Sequence, residues 1–300
     1  MDLWILITLG AATAQALRFM LQKQLRGMQL STAGATFARF VYSSPLVVLI
    51  AIFYARSSGQ GAPQLTAAFW PYAIAGGAAQ ILATMCVVAL FSHRNFAVGI
   101  TFKKTEVLLS ALIGFVVLGD VISVWAVGAM LIGLVGVLLL SDPPHAIGPW
   151  HTRIFNRATA LGLGAGVLFG VSGNGYRGAS LSLGAGDVFY RAIVTLAIVT
   201  MLQTLTMAIW LVWRERGEII KVVRAWRVAG LVGLTSMIGS ICWFNAYTLQ
   251  TAAYVNAVGQ VELLLSLAIG AFAFGEKISR REWQGIAFLT TSIVALVALG

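Results

Sequence analysis

Apolar residues run along this chain in stretches of about twenty, separated by short polar clusters and without period-two alternation. No Asp, Glu, Lys or Arg occurs between Ser57 and Ser92, and none between Val228 and Val261. Each of these stretches exceeds the ~20 residues that one bilayer-crossing helix needs. In lipid a helix satisfies its own backbone, and the missing alternation argues against a membrane barrel. Cutting at the polar clusters predicts ten helices, over residues 3–22, 32–55, 66–91, 96–118, 121–141, 157–176, 188–213, 228–249, 252–274 and 282–299. Tight turns at Gly119-Asp120 and Gly275-Glu276 divide neighbouring spans, using glycine to release the helix. Three of the six prolines fall in Ser141-Asp-Pro-Pro-His-Ala-Ile-Gly-Pro-Trp150, which reads as a seam. The expected divisions are 1–141, a cytoplasmic linker at 142–156, and 157–300.

The two sides of this seam repeat one another. Residues 106–123 align with 262–279 without a gap, and nine of the eighteen positions are identical. Glu106/Glu262, Ser110/Ser266, Gly114/Gly270 and Gly119/Gly275 are among them. The same offset of 156 pairs Gly77 with Gly233 and Cys86 with Cys242, and a small slip pairs Phe37-Ala-Arg39 with Phe189-Tyr-Arg191. A duplicated unit of five spans must insert its second copy upside down. Transporters often place a substrate pathway between such inverted repeats.

Charge tests the inversion independently. The odd-numbered loops and their margins carry 14 Lys and Arg, from Arg18, Lys23 and Arg26 through to Arg281. The even-numbered loops carry 3, Arg56, Arg177 and Arg191, while Arg39, Lys103 and Lys104 lie within spans. By the positive-inside rule the odd loops are cytoplasmic and both termini are periplasmic. The net charge of +10 follows from this topology and needs no nucleic acid. Only 10% of residues are charged and 59% hydrophobic, far from the ~25% charged of soluble proteins. The first apolar segment lacks a small-residue cleavage site and reads as a span. Cys86 and Cys242 fall mid-helix, as small packing residues. Segment 214–227 reads as a surface helix against anionic lipid, with Glu218, Lys221 and Arg224 on its polar face. The expected fold is an all-α polytopic membrane protein of ten transmembrane helices in two inverted five-helix repeats.

Each half closes on Gly-(Asp/Glu)-x-x-Ser, as Gly119-Asp120-Val121-Ile122-Ser123 and Gly275-Glu276-Lys277-Ile278-Ser279. This layout resembles the EamA-type domain of the drug/metabolite transporter superfamily over essentially the whole chain. Within it, the size and two-repeat organisation resemble bacterial YddG-type amino-acid exporters. The resemblance implies a basket of helices around a central cavity, with spans 1, 3, 4, 6, 8 and 9 lining it. Spans 5 and 10 would lie toward the outside or at a dimer face, with monomer and homodimer both open. It implies residence in the cell inner membrane, export of aromatic and other neutral amino acids, and no cofactor. Efflux of drugs or other metabolites is the alternative, with phosphorylated-sugar exchange, prompted by the lysine pair, third.

Lys103, Lys104 and Glu106 are the costliest residues in the chain, because a charge at mid-span costs about 2.5–3.5 kcal/mol on insertion scales. Lys103 and Glu106, three apart, can form a structural ion pair; alternatively a lysine meets a substrate carboxylate. Gln260 aligns with Lys104 and can face the same space. Glu262 has no basic neighbour in its own span, which leaves it neutral, paired across the repeat interface, or coupled to protons. Gln15, Gln80, Thr84, Asn174, Asn245, Asn256 and Gln260 are further mid-membrane polar residues, most suited to helix–helix hydrogen bonds, with Gln80, Asn174 and Gln260 also candidates for substrate binding. Gly170-Val-Ser-Gly-Asn-Gly175 suggests either a broken helix presenting backbone to substrate or a close-packing stripe. Eight tryptophans sit at span ends or in loops, while Trp243 lies inside a span with Asn245 and Tyr247 nearby. That neighbourhood suits an aromatic cavity wall.

Gly170-Val-Ser172-Gly173 also matches the Gly-x-Ser-Gly core of rhomboid-type intramembrane proteases. His93, His145 and His151 all lie at loops, so serine chemistry lacks a membrane-embedded base. No His-Glu-x-x-His zinc motif occurs. A transporter of small molecules embedded in the lipid bilayer is the expected class, rather than an enzyme or receptor.

Overall fold

A computed structural model describes residues 2–91, 100, 102–141, 157–265, 267 and 279–299. The linker 142–156, the three histidines and Gly275–Ile278 lie outside the described residues. Eleven helices are seen among them: α1 Leu3–Gly27, α2 Thr32–Ser57, α3 Phe69–Leu90, α4 Glu106–Leu118, α5 Val124–Ser141, α6 Arg157–Leu181, α7 Val188–Arg214, α8 Glu218–Arg224, α9 Trp226–Leu249, α10 Ala252–Gly259 and α11 Arg280–Leu299. Helices α1, α2, α3, α7 and α9 are each long and apolar enough to cross a bilayer. The chain is therefore a multi-pass, all-helical membrane protein. Its outer surface agrees, because Phe53, Val124, Trp125, Ile209 and Val212 are largely exposed. Water would penalise such a surface and lipid does not.

Helix α1 packs on α9 and α3 on α6, while α2 packs on α7, α5 on α11, and α4 on both α6 and α10. Glycine makes the closest of these approaches possible. A Cβ at Gly175 would come within 2.8 Å of Gly76 Cα, so α3 and α6 touch backbone to backbone. Gly136 and Gly285 do the same for α5 and α11, where Ser292 Oγ also donates to Ala129 O at 2.6 Å. Small residues at helix crossings are how packing proceeds without a hydrophobic drive between helices.

The turn motif has a physical role at both ends. Gly119 ends α4 in the left-handed region at φ +71, and the amide of Asp120 donates to Gly114 O. Ser123 Oγ then accepts from Ala126 N at the start of α5. In the second copy Ser279 Oγ accepts from Glu282 N, and Glu282 accepts from Ser279 N at 2.6 Å, closing a capping box.

Six expectations need correction. The span expected at 96–118 turns at Lys104-Thr105 before α4 begins, and the span at 252–274 turns at Gln260 before helix resumes at 261–265. Helix α6 is continuous through Gly170–Gly175, so no broken helix presents backbone there. Those small residues instead admit neighbours: Gly170 faces the α4 backbone at Leu109-Ser110, and Gly175 faces Gly76. Arg18 is buried within α1, which runs one turn further than expected, and is not a loop residue. Glu218 is buried rather than on a polar outer face: it accepts from Ser31 N at 2.5 Å, while Ser31 Oγ donates to Glu215. This fixes α8 against the N-terminus of α2, where Ser31 caps Gly34 N. Trp4 is likewise buried, edge-on to Tyr254, whereas Trp70, Trp125, Trp213, Trp226 and Trp283 are exposed as an interfacial belt requires.

Candidate functional site

The turns at Lys104-Thr105 and Gln260 occupy equivalent repeat positions and meet inside the bundle. Gln260 Nε2 reaches Lys104 O at 3.5 Å. Two buried ion pairs flank this crossing. Lys103 Nζ lies 3.1 Å from Glu106 Oε1, and Lys104 Nζ lies 3.2 Å from Glu262 Oε2. The first pair lies within one segment. The second joins residues 158 apart, giving Glu262 the cation that its own span lacks. Lys103 also sits over the ring of Phe169 at 4.9 Å, which adds cation–π attraction in a dry setting. Glu262 further accepts from Gln15 Nε2 at 3.1 Å, and Arg18 donates to Gln15 Oε1 at 3.3 Å.

Beside the crossing is a cavity of about 40 Å³ walled by α1, α2, α3, α4, α6, α9, α10 and Lys103. At roughly 10–15 Å³ per water it holds a few waters and is too small for a metabolite. Every span that the resemblance implied contributes a wall, and α2 adds Arg39.

Of the residues singled out from sequence, Gln15, Gln80, Lys103, Glu106, Trp243, Tyr247 and Asn256 line this cavity. Trp243 stacks on Tyr247 with ring centroids 5.7 Å apart and an interplanar angle of 20°. A side chain at position 259 would collide with the Trp243 ring, so Gly259 makes room for it. Trp243 Nε1 is buried without a hydrogen-bond partner among the described residues. Tyr247 Oη donates to Asn256 Oδ1 at 2.8 Å, and Asn256 Nδ2 donates to Ser110 Oγ at 2.9 Å. Gln80 Oε1 accepts from Tyr176 Oη at 2.7 Å and from Gln203 Nε2 at 3.0 Å.

Lys104 and Gln260 instead line a second, smaller space with Val107, Leu108, Met130 and Leu289. Asn174 lines neither. Its amide donates to Ser110 O at 3.0 Å and Gly170 O at 2.9 Å, which ties α6 to α4. Glu262 lies in the charge network behind the main cavity. Arg39, Ser172, Tyr176 and Ser240 line that cavity and were not recognised as site residues from sequence. A signal for Arg39 existed: it is a lone mid-span cation in a helix with no carboxylate anywhere along it. Ser172 lies in the Gly170–Gly175 stretch weighed for its backbone and for serine chemistry, whereas Tyr176 and Ser240 are common packing residues and carried none.

Residues 157–298 match the model of the EamA-like transporter family. The uncharacterized transporter in the cobO 3' region of Sinorhizobium sp. is 26% identical over 106 residues, covering 35% of this chain and 71% of that protein. A crystal structure of a protein 16% identical in sequence superposes with a TM-score of 0.68, over 98% of this chain and 99% of that one. At that identity the likeness concerns the fold alone. The match covers 142 of the 300 residues, so the second half of the chain, part of a membrane bundle that encloses a polar cavity, is similar to an EamA-like transporter unit.

Proposed function

We propose that the protein is a secondary transporter that exports amino acids, aromatic and other neutral ones, across the inner membrane by alternating access. The observation that carries this reading is the meeting of the turns at Lys104-Thr105 and Gln260 beside a polar, aromatic-walled cavity deep in an otherwise apolar bundle. Broken helices at an inter-repeat crossing are where transporters hold substrates.

The ten-span, inverted-repeat organisation belongs to this proposal, with halves 1–141 and 157–300 and both termini periplasmic. It is supported by the helix pairings. Exchanging the five spans of one half for those of the other turns the α1–α9 contact into α6–α3, and leaves α2–α7, α4–α10 and α5–α11 unchanged. In this reading Trp243 and Tyr247 receive the apolar side chain, Gln80 and Asn256 supply polar contacts, and Asn174 holds the walls. Lys104, Gln260 and Glu262 lock the crossing, and Lys103 with Glu106 bounds the cavity. Burial on aromatic walls contributes about 25 cal/mol per Å² of apolar surface, which favours large side chains.

Flux into liposomes containing the purified chain tests the reading, with amino acids, nucleosides and cationic dyes in competition. Amino acids are expected to move, and W243A should slow Phe, Trp and Leu more than Ala or Thr. Flux of dyes or nucleosides without amino acids would replace the substrate class with general efflux. No flux of any compound would end the transport reading.

A further inference from the structure

We infer that Arg39 is the residue that binds the carboxylate of the substrate, so the cavity selects small organic molecules bearing a carboxylate. The inference rests on the transport reading above and specifies what the same cavity recognises.

Arg39 lies in the middle of α2, 4% exposed, and lines the main cavity. Its Nε donates to Ser236 Oγ at 2.9 Å and its Nη1 to Thr84 Oγ1 at 3.0 Å. Its Nη2 makes no hydrogen bond, and no carboxylate stands within ion-pair distance of it among the described residues. Hydroxyls satisfy N–H groups but cannot balance a charge. A buried guanidinium without a counter-ion is costly, and in a membrane interior such a group marks a ligand pathway.

The neighbouring charges point the same way. Lys103 and Lys104 already hold Glu106 and Glu262. Counting Arg18 and Arg39, the polar centre contains four buried cations against two buried carboxylates. Arg18 lies within electrostatic reach of both Arg39 and Glu262, so Glu262 is shared between two cations. Of the two arginines in this excess, Arg39 is the one that lines the cavity. A planar guanidinium held through Nε by Ser236 and through Nη1 by Thr84 keeps both Nη2 hydrogens and the second Nη1 hydrogen for a carboxylate, a fork that suits that group better than a point charge would. The unpartnered Trp243 Nε1, in the same cavity wall, is a further donor without an acceptor.

The test uses the full chain in nanodiscs and in liposomes, with four probes: L-phenylalanine, phenylacetate, L-phenylalaninamide and phenethylamine. Wild-type protein should bind the two carboxylates about tenfold or more tighter than the two compounds that lack one, as loss of a charge-assisted contact implies. This arm needs no variant, and equal or reversed preference overturns the inference. In R39Q, checked for a monodisperse folded population, the preference should collapse to within about threefold; R39K, which keeps the charge but not the fork, should fall between. Undiminished preference in a folded R39Q would reduce Arg39 to a brace between α2, α3 and α9 and overturn the assignment. Flux of phenethylamine without flux of either carboxylate would refute the carboxylate site and leave transport standing. Failure to move or bind any probe, dye or nucleoside would remove the transport reading and this inference with it.

Discussion

Glu106 and Glu262 hold the same place in two copies of one eighteen-residue segment, yet each binds a different lysine. Glu106 finds its cation three residues earlier on its own segment, and that cation also rests on an aromatic ring. Glu262 takes Lys104 from the other copy and also accepts from Gln15. Both lysines therefore come from the first copy, and the second supplies an uncharged Gln260 at the position of Lys104. Duplication kept the two carboxylates and let the cations diverge. A pair inside one segment stiffens a turn, whereas a pair between segments ties the two broken spans to each other.

The sharpest way to break this comparison is to neutralise each carboxylate in turn. E262Q leaves Lys104 buried without its main counter-charge and should cost about 3–5 kcal/mol, read as a large fall in thermal midpoint in detergent. Adding K104M should restore most of it, because removing both charges abolishes the stranded one. E106Q should cost less by roughly 0.5–2 kcal/mol, since Lys103 keeps the face of Phe169. Equal losses would show that the aromatic contact contributes nothing and that the two copies are electrostatically equivalent.

A smaller effect is expected at the end of the first copy. Asp120 holds Arg177 through Nε at 3.1 Å and Nη2 at 3.3 Å, while Arg177 Nη1 donates to Tyr247 O at 3.0 Å. D120N should cost about 1–3 kcal/mol, the worth of hydrogen bonds to a charged group. Because Arg177 also steadies the backbone of the cavity tyrosine, the same variant should alter tryptophan fluorescence from the Trp243–Tyr247 stack. An unchanged spectrum with lowered stability would confine the clamp to the bundle end.

The smallest effect separates the two turns. S123A and S279A should each cost about 0.5–2 kcal/mol, the usual range for losing a helix N-cap. S279A should lie at the upper end, because Ser279 and Glu282 satisfy each other reciprocally and Ser123 has no such partner. Matching midpoints for the two variants would make the capping box energetically idle.

Much of the fold was legible in the chain because lipid imposes simple rules. A run of about twenty apolar residues has few choices in a bilayer, and tryptophans at its ends report the interface. The exceptions are instructive. Gly170–Gly175 read equally well as a broken helix or a packing stripe, since glycine serves both; only the nearness of Gly76 and the α4 backbone decided for packing. Lys103 to Glu106 was legible as a pair from the spacing of three expected of a helix, and the turn at Lys104-Thr105 between them still brings the two side chains together. Arg39 was passed over as a marker of the repeat. Its meaning depends on what does not stand beside it, and no sequence window reports that.

Apolar run length, the glycine-serine turns, the charge asymmetry of the loops and the duplication are local or additive properties, and the sequence by itself determined them. The partner of Glu262, the meeting of Lys104 with Gln260, the seating of Glu218 against Ser31 and the cavity that Arg39 faces were decided by tertiary structure. Each depends on which helices cross and at what depth. A buried charge is settled by neighbours a few ångströms away in space, which can lie more than 150 residues away in the chain.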